Sequence, residues 1–170
     1  MLFLMLLVAK ALPAQYRYDT VVMAHDFEGV TVDGRPYHLY DSPAERIIVC
    51  FWSVDCDYCH DFLRALRRHT DLKNDYELVT FALADSPKQV RKKARRMRLH
   101  GWHFHDVAGW DAQPFLDYDV TTTPTIVLID KDKHLVGMAY DWEEFEELIT
   151  ENGERNGEAH NEAKRVKTEN

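Results

Sequence analysis

Cysteine is scarce in this chain of 170 residues, which contains only Cys50, Cys56 and Cys59. Three cysteines are too few for the disulfide framework of a small secreted scaffold. Two of them are nevertheless only three positions apart, in the string Cys56-Asp57-Tyr58-Cys59-His60. The close pair is therefore better explained by chemistry than by structural cross-linking.

The chain also lacks an apolar run long enough to cross a bilayer, which takes about 20 residues. Its apolar stretch at residues 2–9 is followed by Lys10 and by Leu12-Pro13-Ala14. This resembles the core and the cleavage site of a signal peptide, although no basic segment precedes it. We predict that residues 1–14 are a signal peptide and that the protein is exported, to the periplasm or cell envelope. A buried N-terminal segment is the alternative, and an uncleaved N-terminus is the only membrane contact expected.

An excess of positive charge is absent as well, because the formal net charge is −8 at pH 7. This argues against nucleic acid as a general partner. The 45% of hydrophobic residues can bury a core, and the length suits one domain with tails. Residues 24–150 are predicted to form that domain. Residues 151–170 offer almost nothing apolar and are predicted to be a charged, disordered tail.

Strands and helices alternate in the predicted order of elements. An Asp33-Gly34 turn joins two alternating segments into a β-hairpin. Further strands are predicted at residues 45–53, 76–84, 125–130 and 134–140. Helices are predicted at residues 57–70, 86–99, 111–118 and 142–150, and residues 100–110 are irregular or a short strand. This order implies an α/β sandwich with a mixed sheet.

Two details of the predicted helices are specific. In the first helix, Tyr58, Phe62, Leu63 and Leu66 form a core-facing stripe. In the second, Ser86 is the expected N-cap, followed by Pro87 at the first helical position.

The Cys-x-x-Cys lies where a buried strand passes into a helix. An apolar run, residues 47–52, leads directly to Cys56, and the predicted helix follows it. A helix N-terminus carries partial positive charge and free N–H groups, so it favours a thiolate over a thiol. The thiolate is the nucleophile of disulfide exchange. The arrangement therefore predicts a redox-active dithiol.

Two metal-containing alternatives use the same motif. A tetrahedral zinc site usually needs a second pair of ligands, and none exists because Cys50 is expected to point elsewhere from its strand. The string from Cys56 to His60 is also the c-type haem attachment signature. The strand-rich pattern argues against haem, since small c-type cytochromes are mostly helical. We therefore expect neither metal nor organic cofactor.

A second motif lies downstream, where Thr121-Thr122-Thr123-Pro124 precedes a β-branched strand. A proline that opens a strand is a candidate for a cis peptide bond. It also leaves a strand edge where a substrate chain could pair.

Together these motifs resemble the thioredoxin fold. The early hairpin and the long gap between Cys59 and Pro124 are similar to the exported TlpA/ResA-like thiol-disulfide oxidoreductases. The resemblance implies a central mixed β-sheet flanked by helices, with an N-terminal β-hairpin and an inserted strand-helix unit. It also implies protein thiols and disulfides as substrates, an upstream electron donor, and no cofactor besides the cysteine disulfide.

The resemblance also assigns roles to single residues. Cys56 is the exposed nucleophile and Cys59 the resolving cysteine. Pro124 faces the disulfide, Thr123 offers its backbone to a bound substrate, and Trp52 packs beneath the site. The alternative is that Trp52 and Pro124 have purely structural roles, in the core and in a turn.

The chain departs from thioredoxin at the position of a buried aspartate, where it has Cys50. A buried thiol is a poor general base. We expect Cys50 to be a small core residue; exchange with Cys59 is the alternative.

Charges around the first cysteine also differ. Asp55 and Asp57 flank Cys56 and disfavour its thiolate, whereas a protonated His60 favours it. With two carboxylates against one imidazole, we expect a dithiol that reduces its substrates. A haem-carrying electron-transfer protein and a redox-inert thioredoxin-like adaptor are the rival functions.

Two charged or metal-binding patterns remain. A basic stretch on the second predicted helix is most simply a solvated face, with a docking patch for an acidic partner or membrane as the alternative. It comprises Lys88, Arg91, Lys92, Lys93, Arg95, Arg96 and Arg98. A group of His100, His103, His105 and Asp106 resembles metal ligands, but nothing in the sequence supplies a complete set.

Overall fold

The computed structural model describes residues 21–69 and 76–150. The predicted signal peptide, residues 1–14, and the predicted tail, residues 151–170, lie outside the described residues. Among the residues that are described, no helix is long and apolar enough to cross a membrane.

The central strand is β3, Arg46–Ser53, whose apolar sequence suits a strand covered on both sides. It pairs in parallel with β4, Glu77–Leu83, and antiparallel with β6, Thr125–Asp130. The edge strands are β5, Trp102–Phe104, and β7, Leu135–Ala139. The five-stranded sheet has the order β5-β4-β3-β6-β7, so the mixed sheet is confirmed.

Alternate residues of β3 point to opposite faces of the sheet, as the strand period of two requires. Ile48, Cys50 and Trp52 join the apolar cluster on one face. Ile47, Val49 and Phe51 join the cluster on the other face. A separate apolar core therefore covers each face of the sheet. Because both faces of β3 are buried, its sequence is a continuous apolar run.

Four α-helices cover the sheet in the described part of the chain. They are α1, Asp57–Arg68, α2, Pro87–Met97, α3, Gln113–Asp117, and α4 at residues 142–150. Phe62 of α1, Val90 of α2 and Phe145 of α4 belong to the core that contains Cys50. Phe115 of α3 belongs to the opposite core. The helices thus lie on both faces of the sheet, as predicted.

The N-terminal hairpin comprises β1, Glu28–Val30, and β2, Pro36–His38. Gly34 has φ +79° in the turn, a conformation that favours glycine. The hairpin is tied to β4 by Glu77, whose carboxylate accepts hydrogen bonds from Tyr37, Ser42 and Trp102 at 2.7–2.8 Å. Burial and the Glu77 carboxylate raise the pKa of Tyr37, so its hydroxyl stays protonated and donates.

One sequence prediction about the helices needs correction, and another is confirmed. Tyr58 is 82% exposed, whereas Phe62, Leu63 and Leu66 are buried. At about 100° per residue, Tyr58 lies at the edge of the stripe rather than within it. Ser86 is the N-cap of α2 and Pro87 opens the helix, as predicted, although the Ser86 side chain makes no capping hydrogen bond. Gln89 instead bonds the backbone and side chain of Asp85.

Candidate functional site

The close cysteine pair lies at the junction of β3 and α1. Cys56 is the N-cap of α1, and the backbone N–H of Cys59 donates to its sulfur at 3.1 Å. One of the free donors of the first helical turn is thereby directed at this sulfur. The helix terminus and this N–H both favour negative charge on Cys56 once the thiol is free.

Cys56 and Cys59 form a disulfide, with 5.3 Å between their Cα atoms. Cys59 is fully buried, whereas Cys56 is half-buried and reaches the surface. An approaching thiol or disulfide can therefore contact the sulfur of Cys56 and not that of Cys59.

The loop before β6 lies against this disulfide. Because β6 runs antiparallel to β3, its start meets the end of β3, and Thr125 pairs with Phe51. The Thr123–Pro124 peptide bond is cis. The carbonyl oxygen of Thr123 lies 3.6 Å from the sulfur of Cys56. The fold thus brings the threonine-proline loop next to the cysteine pair.

Trp52 is the last residue of the apolar run at residues 47–52 and is fully buried. Its indole stacks edge-on to His60, with ring centroids 6.2 Å apart. The indole nitrogen has no hydrogen-bond partner among the described residues. A substrate at the surface therefore cannot contact this buried side chain directly.

The charged neighbours of Cys56 are arranged unequally. Asp55 and Asp57 are both exposed. His60 is buried, and its Nε2 lies 2.9 Å from the carbonyl oxygen of Val54. A carbonyl only accepts, so this nitrogen carries a hydrogen and donates. The other ring nitrogen lies 3.5 Å from Asp57. The imidazole is thus engaged by Val54 and Asp57.

Cys50 is fully buried on β3, in the same apolar core as Cys59 and Trp52. Residues 50 and 52 share one face of the strand, so Cys50 lies on the side of the sheet that α1 covers. Burial raises the pKa of the Cys50 thiol, which therefore keeps its proton near neutral pH.

The predicted histidine group is not a single cluster. His103 is buried and lies 2.9 Å from the hydroxyl of Thr80, and burial lowers its pKa. His105 donates to the carbonyl of Ala84 instead. These two side chains are held by different partners, and their sequence spacing alone did not show this.

A different set of oxygen and nitrogen ligands lies together at the β6–β7 turn. Ligand atoms of Asp130, Asp132 and His134 fall within 4.8 Å of one another. The Asp130 carboxylate accepts the backbone N–H groups of both other residues, and Asp132 pairs with Lys131. These contacts account for the cluster as part of a turn.

Sequence reasoning missed several exposed apolar side chains. Tyr58, between the cysteines, is 82% exposed, and Val107 and Trp110 are also exposed. The segment at residues 105–110 follows β5, whose carboxyl end lies beside those of β4 and β3. No periodicity in the sequence distinguishes such residues from core residues.

The family comparison agrees with this architecture. The profile of the thioredoxin-like domain matches residues 38–152. The chain therefore belongs to the thioredoxin-like domain family. Its Cys56–Cys59 disulfide, at the start of the first helix, places it in the class of thiol-disulfide oxidoreductases. The resemblance to thioredoxin-like thiol-disulfide oxidoreductases, predicted from the sequence, is therefore confirmed.

Solved structures share the fold at low identity. A thiol-disulfide oxidoreductase from Bacteroides fragilis is 15% identical, with a TM-score of 0.65 over 76% of this chain and 98% of that one. A thioredoxin-family thiol:disulfide interchange protein from Chlorobium tepidum is 18% identical, with a TM-score of 0.62 over 77% and 95%. A secreted Mycobacterium tuberculosis disulfide oxidoreductase is 16% identical, with a TM-score of 0.59 over 71% and 90%. Among curated proteins, no sequence matches significantly.

Proposed function

We propose that the chain exchanges disulfides with protein substrates through Cys56 and Cys59, and that it works as a reductant. The observation that carries this proposal is the unequal burial of the two cysteines. Only Cys56 reaches the surface, and it also receives the N–H of Cys59. Cys56 is therefore the nucleophile and Cys59 the resolving cysteine.

The exchange has two steps. The Cys56 thiolate attacks one sulfur of a substrate disulfide, forms a mixed disulfide, and releases the other sulfur as a thiolate that takes up a proton. Cys59 then loses its proton and attacks the Cys56 sulfur, which releases the second substrate thiol and closes the Cys56–Cys59 disulfide. The substrate gains two electrons and two protons. A thiol-containing electron donor must reduce the disulfide for the next cycle.

Substrate binding is assigned to the loop before β6. Thr123 is half-exposed, and its carbonyl lies 3.6 Å from the Cys56 sulfur. A substrate chain lying along this loop would have its own sulfur next to Cys56. Buried Pro124 holds the loop in place, and Trp52 packs beneath it.

The reducing direction follows from the charges around Cys56. His60 is buried and donates to the carbonyl of Val54, and its other ring nitrogen faces Asp57. Both ring nitrogens therefore have partners within the protein. The exposed carboxylates of Asp55 and Asp57 flank the sulfur in sequence and disfavour a second negative charge. A less stabilised thiolate makes the disulfide the relatively favoured form and the dithiol a better reductant.

Export to the periplasm or cell envelope completes the proposal. The predicted signal peptide at residues 1–14 supports it, and one of the structural relatives is a secreted disulfide oxidoreductase. An oxidising compartment is also where protein disulfides persist and need reduction.

A redox titration tests the function. The protein, lacking residues 1–14, is equilibrated in defined thiol buffers at pH 7, and alkylation mass shifts report Cys56 and Cys59. We expect a reversible two-electron couple on the reducing side of about −200 mV, the range of general cellular thiol systems. A couple as oxidising as about −120 mV would overturn the reducing direction.

Other outcomes point to the rival functions. Two inert thiols would support a redox-inert adaptor. A covalent mass increase with visible absorption would support a c-type haem protein.

Matched variants test whether the two aspartates beside Cys56, rather than any lost surface carboxylate, set the midpoint potential. Asp55→Asn with Asp57→Asn should move the midpoint towards oxidising values by about 30 mV, roughly a tenfold change in the equilibrium. Glu28→Gln removes an exposed carboxylate on the hairpin and should leave the midpoint in place. A shift of equal size in both proteins would contradict the local role of the two aspartates.

A further inference from the structure

Positive side chains from two helices surround one cleft beside the cysteine pair. The cleft has a volume of about 410 Å³, within the usual range of ligand sites, about 300–1,000 Å³. At one end it is lined by Asp57 and His60, the residues that follow the two cysteines. We call it the basic cleft, after its five cationic residues: Arg64, Arg67, Lys93, Arg96 and Arg98.

The positive charge of this cleft is opposite in sign to the net charge of the whole chain, which is −8. The basic stretch of α2 is also not uniform. Arg91 and Arg95 pair with Asp33 of the hairpin turn, at 3.2 and 3.7 Å. Lys93 and Arg96 instead point to the cleft shared with α1. The charges of α2 thus divide between a structural contact and an open groove.

Most of the cleft's positive charges have no carboxylate partner. Arg64 pairs with Asp61 at 2.6 Å. Within residues 21–69 and 76–150, no ion pair forms at Arg67, Lys93, Arg96 or Arg98. Like charges held close together repel, and a bound polyanion relieves that repulsion.

We propose that the basic cleft docks an acidic segment of the protein with which the chain exchanges disulfides. This proposal rests on the proposed function, because it treats the docked partner as the redox partner. Asp57 and His60, which follow the two cysteines, line the cleft. A protein docked there can therefore bring a cysteine of its own next to Cys56.

The charges also set the position of the acidic segment. Asp55 and Asp57 repel acidic residues directly at the disulfide. Along α1, Arg64 and Arg67 lie about 10 to 15 Å from Asp57, at 1.5 Å per residue. In an extended partner chain this distance corresponds to about three to five residues. The partner's acidic residues should therefore lie about four positions from its reactive cysteine rather than next to it.

Equilibrium binding tests the cleft independently of redox chemistry. The probe is a fluorescein-labelled peptide that lacks cysteine and carries four acidic residues, and its match has the corresponding amides. At low salt the acidic peptide should bind the oxidised protein about tenfold more tightly than the amide peptide. In 1 M NaCl, where the Debye length is about 3 Å, the difference should fall below about twofold.

A matched pair of variants locates the site. Lys93→Gln with Arg96→Gln removes two charges from the cleft and should weaken binding about tenfold. Lys88→Gln with Lys92→Gln removes the same charge from exposed positions of α2 outside the cleft. It should weaken binding less than twofold. Equal weakening by both variants, or equal binding of the acidic and amide peptides, would overturn the proposal.

Membrane binding is the competing outcome. Vesicles of phosphatidylcholine with one-third phosphatidylglycerol are the probe, compared with pure phosphatidylcholine. Binding to the anionic vesicles that is stronger than peptide binding, and that depends on Lys93 and Arg96, would replace the acidic protein by a lipid surface and overturn the proposal.

Kinetics then separate docking from exchange. The reduced protein is mixed with hydroxyethyl disulfide, which is uncharged, and with peptide disulfides whose acidic residues lie four positions from the cysteine or next to it. The peptide with distant acidic residues should react about tenfold faster than the one with adjacent residues. Equal rates for the two peptides would overturn the docking register. Failure to reduce even hydroxyethyl disulfide would instead overturn the proposed function, while peptide binding still decides the cleft.

Discussion

The backbone N–H of Cys59 points at the sulfur of Cys56, 3.1 Å away, so one cysteine directs a hydrogen-bond donor at the other. The same three-residue spacing buries the Cys59 side chain under the first turn of α1. Position at the helix N-terminus therefore gives the two cysteines different environments. We infer from this difference that Cys56 attacks first and Cys59 resolves the mixed disulfide.

This order predicts opposite behaviour for two single variants. Cys59→Ser should still attack a substrate disulfide and accumulate the mixed disulfide, because no thiol remains to resolve it. Cys56→Ser should lose exchange by more than about 10³-fold, because the only accessible sulfur is gone. Intact-mass measurement after mixing with a peptide disulfide distinguishes them. Mixed disulfide on Cys59 in the Cys56→Ser protein would show that the order is reversed.

Cys50 is predicted to be a packing residue without a redox role. Cys50→Ala should leave the midpoint potential unchanged, because burial raises the pKa of this thiol and keeps it protonated. The loss of buried sulfur should lower the free energy of unfolding by about 1 kcal/mol. Redox titration and urea unfolding measure the two effects. A Cys50–Cys59 disulfide in a peptide map of the wild-type protein would contradict this assignment.

Glu77 is predicted to hold the hairpin against the sheet. Glu77→Ala leaves the donors of Tyr37, Ser42 and Trp102 without their acceptor, and should cost about 3 kcal/mol of unfolding free energy. Tyr37→Phe removes a single hydrogen bond and should cost about 1 kcal/mol. Glu45→Ala, at an exposed position before β3, is the control and should change stability by less than about 0.5 kcal/mol. Similar costs for Glu77→Ala and Glu45→Ala would rule out the proposed tie.

His103 is predicted to make stability depend on pH. Burial lowers its pKa below the ordinary value of about 6.5, so the folded protein holds it neutral. A group with a lowered folded-state pKa stabilises fully above its unfolded pKa. That stability is lost as pH falls from about 6.5 through the lower folded-state pKa, because the unfolded chain takes up the proton first.

The matching variant is His103→Gln, which cannot titrate but can still bond the Thr80 hydroxyl. Urea unfolding between pH 7.5 and 5 should show a smaller loss of stability in this variant than in the wild type. Each unit of pKa shift accounts for about 1.4 kcal/mol of the difference. His38→Gln is a useful comparison, because hydrogen bonds to Asp26 and Asp41 raise the pKa of exposed His38. Parallel pH profiles for wild type and His103→Gln would contradict the prediction.

Local patterns determined much of what the sequence could predict. The strands, the helix that follows Cys56 and the hairpin turn at Gly34 depend on residues only a few positions apart. Propensity and periodicity act over that same distance, so these elements agreed with the structure to within a few residues. The motif from Cys56 to Cys59 lies within one helical turn, which is why its redox chemistry could be predicted from the sequence.

Only tertiary structure decided the contacts between distant segments. Thr123 meets Cys56 across 67 positions because β6 pairs antiparallel with β3. The direction of the Cys50 side chain depended on which face of β3 each helix covers. The basic cleft needs α1 and α2 side by side, with charges of both helices directed at one space. Strand order and helix packing set these relationships, and neither is encoded in the spacing of residues along one element.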